Sequence, residues 1–167
     1  MNTGIQINEA GVDDIPAIVE IAMATWWHTY EPLIEKIQVD YMFGQIYTPE
    51  SLERQMSFWQ HRFLLMTENG KATAFAAFSP RVEDDTIVKL HKLYLIPGLQ
   101  GRGLGKQLIQ EVEKQIIAGG RKTVELNVNR DNKSLHFYEK MGFVIVKEED
   151  IPIGPYWMND YLMRKEL

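Results

Sequence analysis

A glycine-dense loop between an apolar strand and an amphipathic helix constrains this chain more than any other feature of its sequence. It runs Leu93-Tyr94-Leu95-Ile96-Pro97-Gly98-Leu99-Gln100-Gly101-Arg102-Gly103-Leu104-Gly105-Lys106. Glycines at 98, 101, 103 and 105 allow backbone conformations and close approaches that a Cβ would block. A helix start presents unpaired N–H groups and about half a positive charge, so such a junction suits a phosphate. Arg102 and Lys106 add formal charge at the rim. One glycine signals only a turn; four within eight residues, beside two cations, point to anion binding. Two nucleotide fingerprints fail here. G-x-G-x-x-G needs glycine where Lys106 or Leu108 stands, and the Walker loop needs glycine at Gln100 and Ser or Thr at Gln107.

The pattern around the loop sets the fold class. Ile5 and Ile7 alternate with polar residues in a short strand, and Asp13, Asp14 and Pro16 open a helix carrying Ile15, Ile18, Val19, Ala22 and Met23. A second apolar-aromatic stretch covers Leu33 to Tyr47. Thr48 and Pro49 start a third helix with Leu52, Met56 and Trp59 on it. The period then changes to strands over 62–67, 72–79 and 86–95, the first two joined by a tight turn at Asn69-Gly70. After the loop come a helix over 104–118, a strand over 123–128, a helix over 132–141, and strands over 143–147 and 156–164. This order predicts an α/β (mixed α+β) domain across residues 1–167, with helices on both faces of the sheet.

Composition narrows the function. The 167 residues are 45% hydrophobic and 25% charged, which excludes wholesale disorder. No apolar run approaches the roughly 20 residues of a membrane span. Met1–Gln6 lacks the charged and apolar regions of a signal peptide, so the expected location is cytoplasmic, away from membranes. A formal charge of −5 discourages nucleic-acid binding and favours cationic partners. With no cysteine, disulfides, Cys-ligated metals and thiol chemistry are excluded. His28, His61, His91 and His136 show no short ligand spacing, so no metal is expected.

Gln100-Gly101-Arg102-Gly103-Leu104-Gly105 fits Q-x-x-G-x-G, and resembles the acetyl-CoA loop of the GCN5-related N-acetyltransferases. Asn132-Lys133-Ser134-Leu135-His136-Phe137-Tyr138-Glu139-Lys140-Met141-Gly142-Phe143 resembles that family's N-x-x-A-x-x-x-Y-x-x-x-G-F block, one helix and one strand downstream. Thr25-Trp26-Trp27-His28-Thr29-Tyr30 and Trp157-Met158-Asn159-Asp160-Tyr161-Leu162-Met163 are similar to segments of the PaiA-type polyamine acetyltransferases. The resemblance implies a twisted, mostly antiparallel sheet of about six or seven strands. It implies acetyl-CoA as co-substrate and a small polyamine-like amine or peptide amine as acceptor. It allows a homodimer paired through sheet edges.

The resemblance also implies roles. The strand Leu93, Tyr94, Leu95 would lend backbone groups to the pantetheine arm, and the N–H groups of Gln100, Gly101, Arg102, Gly103, Leu104, Gly105 and Lys106 would hold the pyrophosphate. Tyr138, four residues before Gly142, matches the family's general acid. Asn132 would contact the CoA arm, although it lies six residues before Tyr138 where the family spacing is seven. In some members a Glu serves as base at the middle of the L-x-V run, where this chain has Asn127. In others it stands on the strand before the loop, where this chain has His91. His91 is therefore the candidate base or water relay, with Glu31 and Glu125 as weaker substitutes. Trp26, Tyr30 and Trp157 are candidates for the acceptor wall. Two alternatives stand beside this reading: a non-catalytic CoA-binding sensor, and a transferase using another acyl-CoA.

Overall fold

A seven-stranded sheet in the order β1-β2-β3-β4-β5-β7-β6 organises the chain. The computed structural model describes residues 4–167, so half of the Met1–Gln6 stretch lies outside the described residues. The strands are β1 Ile5–Ala10, β2 Arg62–Glu68, β3 Lys71–Pro80, β4 Ile87–Leu95, β5 Thr123–Asn129, β6 Val144–Ile153 and β7 Tyr156–Glu166. Every neighbouring pair is antiparallel except β4 and β5. The expected mixed, mostly antiparallel sheet is what forms. No helix among the described residues is long and apolar enough to cross a membrane.

Helices cover both faces: α1 Ile15–Tyr30, α2 Lys36–Ile46 and α3 Pro49–Ser57 on one, α4 Leu104–Ala118 and α5 Ser134–Lys140 on the other. The central strand β3 is buried along almost its whole length. Ala74 and Ala76 face α4, where Leu104, Leu108, Ile109, Val112 and Ile116 pack on them. Phe75 and Ala77 face Ile18, Ile21, Trp26 and Leu52 on the other side. Alternation on β3 thus serves two cores at once.

Most boundaries fall within two residues of the sequence reading, and the main departures are in the third helix, α2 and β6. The third helix stops at Ser57, and Trp59 lies beyond it in the turn to β2, half exposed. α2 runs from Lys36 to Ile46, inside both ends of the apolar-aromatic stretch. β6 runs on to Ile153 through Lys147-Glu148-Glu149-Asp150, a charged segment that resembles a loop. It is a strand because the hairpin with β7 supplies its backbone partners, while its exposed edge position tolerates charge. Gly154 turns that hairpin at φ +57, where an added Cβ would meet the Tyr41 hydroxyl.

The feature that positions the site is the parting of β4 and β5. They pair only over Ile87–Lys89 and Thr123–Glu125, and then diverge. A β-bulge in β4 follows directly: Leu90 pairs with Phe78 and Lys92 with Ala77, which leaves His91 as the extra residue. Bulges increase local twist and re-aim side chains, and this one turns β4 away from β5. At the fork, buried Glu125 accepts from Arg81 Nε at 2.6 Å and Arg164 Nε at 2.7 Å, joining the end of β3, β5 and β7. Glu125→Gln should lower unfolding free energy by about 2–4 kcal/mol, because it weakens one partner of a buried ionic cluster; chemical denaturation reads the change.

Candidate active site

The fork opens into a cavity of about 790 Å³, bounded by Leu90 to Leu95 of β4, Leu126 to Val128 of β5, the start of α4, and α5. Beyond Lys89 the β5-facing edge of β4 has no strand partner among the described residues. Its backbone groups are obligatory hydrogen-bonding groups, so this edge suits an extended ligand that can act as an added strand.

The loop closes one end of the cavity. Gly101 and Gly103 have φ of +83° and +76°, so a β-carbon at either would strain the turn. Gly105 instead packs under the Phe137 ring, 3.5 Å from where a Cβ would sit, drawing α4 and α5 together. Gln100 staples the loop: its Oε1 accepts from the Gly98 N–H at 2.8 Å. The first N–H to find a helical acceptor is Gln107, on Gly103 C=O at 3.1 Å. Among the described residues the N–H groups of Gly101 to Lys106 have no protein acceptor, giving a row of donors at the positive end of α4. This donor row fits a diphosphate, and the bare β4 edge fits an amide-bearing arm, so the residues present suit CoA. Lys106 lines the cavity. Arg102 does not; it pairs with Glu68 at the β2–β3 turn.

Tyr138 stands on α5 with its ring edge-on to Phe137 and Phe143, at 5.3 and 5.8 Å between centroids. It borders the cavity, and its hydroxyl has no hydrogen-bond partner among the described residues. Burial, then the neighbouring Tyr30, raises its pKa well above the usual phenol value, so it stays protonated across the neutral range. Asn132 also lines the cavity, and its Oδ1 accepts from the Ser134 N–H at 2.9 Å just ahead of α5.

On the opposite side, Thr25, Thr29 and Tyr30 of α1 complete the wall, and Tyr30 and Tyr94 bring their hydroxyls within 3.4 Å. Trp26 is placed behind Tyr30 rather than in the wall: it is buried, its ring 4.5 Å from that of Tyr30, and its indole N–H donates to Val39 C=O at 3.0 Å. Trp157 lies away from the cavity on the exposed side of β7. The sequence pairs Trp26 with Tyr30 on one helix face, but only packing decides which ring meets the void. Asn127 does line the cavity, and its Nδ2 donates to Glu149 Oε2 at 2.7 Å. Glu31 does not line it, and Glu125 is committed to its two arginines.

His91 reaches the cavity wall, but its ring is engaged elsewhere. Nε2 lies 2.7 Å from Ser79 Oγ, and the ring stacks on His61 at 4.0 Å. Burial, then His61, Lys92, Lys89 and Arg81, push its pKa down to about 2. The bulge that leaves His91 unpaired with β3 also drives Lys92 into the core, where its ammonium donates to Gln55 Oε1 at 2.6 Å over the Tyr47 and Phe63 rings. Burial there lowers its pKa to about 7. No sequence signal announces the bulge, and so none announced a buried lysine. Among the described residues, no group of three or more His, Asp or Glu is arranged to hold a metal.

His61 is held at about 4 by burial and then by Lys92 and Lys89, and its Nδ1 is buried without a partner. In the unfolded chain it takes a proton near pH 6.5. The folded form resists that proton, so the unfolded state binds more protons below pH 6.5 and stability falls as pH drops towards 4. His61→Phe should flatten this acid loss, as read by denaturant midpoints between pH 7.5 and 4.5.

The crystal structure of the PaiA N-acetyltransferase of Thermoplasma acidophilum in complex with coenzyme A is similar over 98% of this chain and 99% of that one, with a TM-score of 0.82 and 26% identity. The ribosomal-protein-S18-alanine N-acetyltransferase of Escherichia coli shares the fold, at a TM-score of 0.73 and 18% identity over 97% and 93% of the two chains. Among curated sequences, an uncharacterized N-acetyltransferase of Mycobacterium tuberculosis is 39% identical over 85 residues, half of this chain and 54% of that protein. The chain thus spans about half the length of the first curated relatives it matches. A spermidine N(1)-acetyltransferase of Thermoplasma acidophilum is 23% identical over 97% of both chains. Residues 31–158 match the family described as acetyltransferase (GNAT) domain, and with the forked sheet and its donor-lined loop the chain belongs to the GCN5-related N-acetyltransferases.

Proposed function

We propose that this protein transfers an acetyl group from acetyl-CoA directly to a primary amine of a small, polyamine-like molecule or a peptide. The observation that carries the reading is one continuous cavity joining the unpaired N–H row ahead of α4 to the free phenol of Tyr138. The Gly101–Lys106 amides hold the pyrophosphate, and the β4 edge from Leu93 to Leu95 aligns the pantetheine arm. A β4 N–H donates to the thioester oxygen as charge grows on it.

The amine enters from the side of Thr29, Tyr30 and Asn127. An alkylammonium near pKa 10.4 must lose a proton before it attacks. His91, with its conjugate acid near 2, serves as a neutral hydrogen-bonding relay for that proton through water rather than as its final acceptor. The amine nitrogen bonds to the acyl carbon, the carbon–sulfur bond breaks, and Tyr138 gives its proton to the departing thiolate; the proton released by the acylated nitrogen leaves through water, from which Tyr138 is reprotonated. The absence of cysteine removes the commonest covalent acyl carrier and favours direct attack. A net charge of −5 and the likeness to a spermidine acetyltransferase support a cationic acceptor.

Calorimetry should detect CoA binding, and thiol release should follow when acetyl-CoA is mixed with an amine panel. Tyr138→Phe should lower kcat by about 10²-fold while CoA affinity changes less than about twofold. CoA binding without turnover of any amine would overturn the transfer reading.

A further inference from the structure

On the sheet face that carries α1 and α2, β7 presents an aspartate that forms no ion pair among the described residues. Asp160 stands opposite Asn129 of β5 and opposite Glu149 of β6. It lies two residues from Met158 and so on the same face; Met158 belongs to the core beneath those helices, so Asp160 points to the acceptor side of the fork. Only 6% of the residue is exposed. Its Oδ1 is shut off from solvent and has no hydrogen-bond partner.

The surroundings make this costly. Like charges directly across a strand pair repel, and Glu149 is that cross-strand neighbour. Burial first, then Glu149 and Asp150, push the Asp160 carboxyl up to about 6, with Lys89 and Arg130 pulling against them. Neither cation closes on it. Arg130 gives its Nε to the Asp160 backbone oxygen at 3.1 Å and its Nη2 to Asp150 at 2.8 Å. Lys89 forms no ion pair among the described residues. Glu149 reaches back to Asn127, a residue of the cavity wall, at 2.7 Å, and Tyr30, another wall residue, feels the charge of Asp160. A buried carboxylate with an orphaned oxygen, facing a second carboxylate beside the cavity wall, lacks the partner that burial of a charge demands.

Building on the amine-acceptor reading, we infer that Asp160, together with Glu149, seats a second, protonated amine of the acceptor. The pair makes the site selective for diamines and longer polyamines over monoamines, and it repels acceptors that carry a carboxylate next to the reacting nitrogen. These two residues set specificity; the chemistry stays with the β4 edge and Tyr138.

The test uses the full chain with saturating acetyl-CoA and three probes: 1,4-diaminobutane, butylamine and alanine. The wild-type protein should favour the diamine over butylamine in kcat/KM by roughly tenfold or more and should disfavour alanine. Asp160→Asn should collapse the diamine preference to within about threefold, chiefly through KM, and Glu149→Gln should shift it in the same direction. Titration of 1,4-diaminobutane into the CoA-bound protein should weaken about tenfold in Asp160→Asn, with CoA affinity and melting temperature retained. An unchanged diamine preference in both variants overturns the inference, as does equal diamine binding by wild type and Asp160→Asn. If the wild type acetylates no amine, the transfer reading falls by itself, and the diamine titration still decides this inference.

Discussion

The separation of β4 from β5 is the constraint on which the rest depends. Two parallel strands that stop pairing after three residues leave backbone donors and acceptors uncovered in the middle of a sheet. That is unfavourable in an ordinary core and becomes useful only where a ligand supplies the missing partners. The fork is held at its base by Glu125 between Arg81 and Arg164, and it is opened at its top by the bulge at His91. One clamp and one extra residue thus convert a continuous sheet into a cleft.

Around that cleft, burial sets the chemistry of the titratable groups. Tyr138 is kept protonated and His91 is kept neutral by the same desolvation, with opposite consequences for their suitability as acid and base. Asp160 shows a third outcome, a carboxylate whose charge is resisted first by burial and then by a strand neighbour of the same sign. Uncompensated groups of this kind collect where a ligand is to complete the structure, since elsewhere they only reduce stability.

Much of this was legible in the chain. The α4 boundaries follow from the glycine loop before Leu104 and the Gly119-Gly120 stop after Ala118, and they match residue for residue. The Asn69-Gly70 turn joins β2 to β3 as a two-residue hairpin, pairing Glu68 with Lys71. The loop and the Tyr138 helix, read as two motifs, pointed to the cleft that both now line. The charged stretch after Lys147 misled because strand formation there depends on a partner distant in sequence rather than on local preference.

What the sequence determined by itself is local: where helices start and stop, which loop leaves its amides free, and which family's motifs the chain carries. Those follow from short-range backbone chemistry, which needs no knowledge of the remainder of the chain. What only the tertiary structure decided is non-local. It sent Tyr30 into the wall and Trp26 behind it, drew His91 onto His61, buried Lys92, and set Asp160 across from Glu149. The packing of α1 places the two rings, the bulge in β4 places His91 and Lys92, and β6–β7 register places Asp160; a shift of one residue in either strand pairing would turn the strand side chains to the other face.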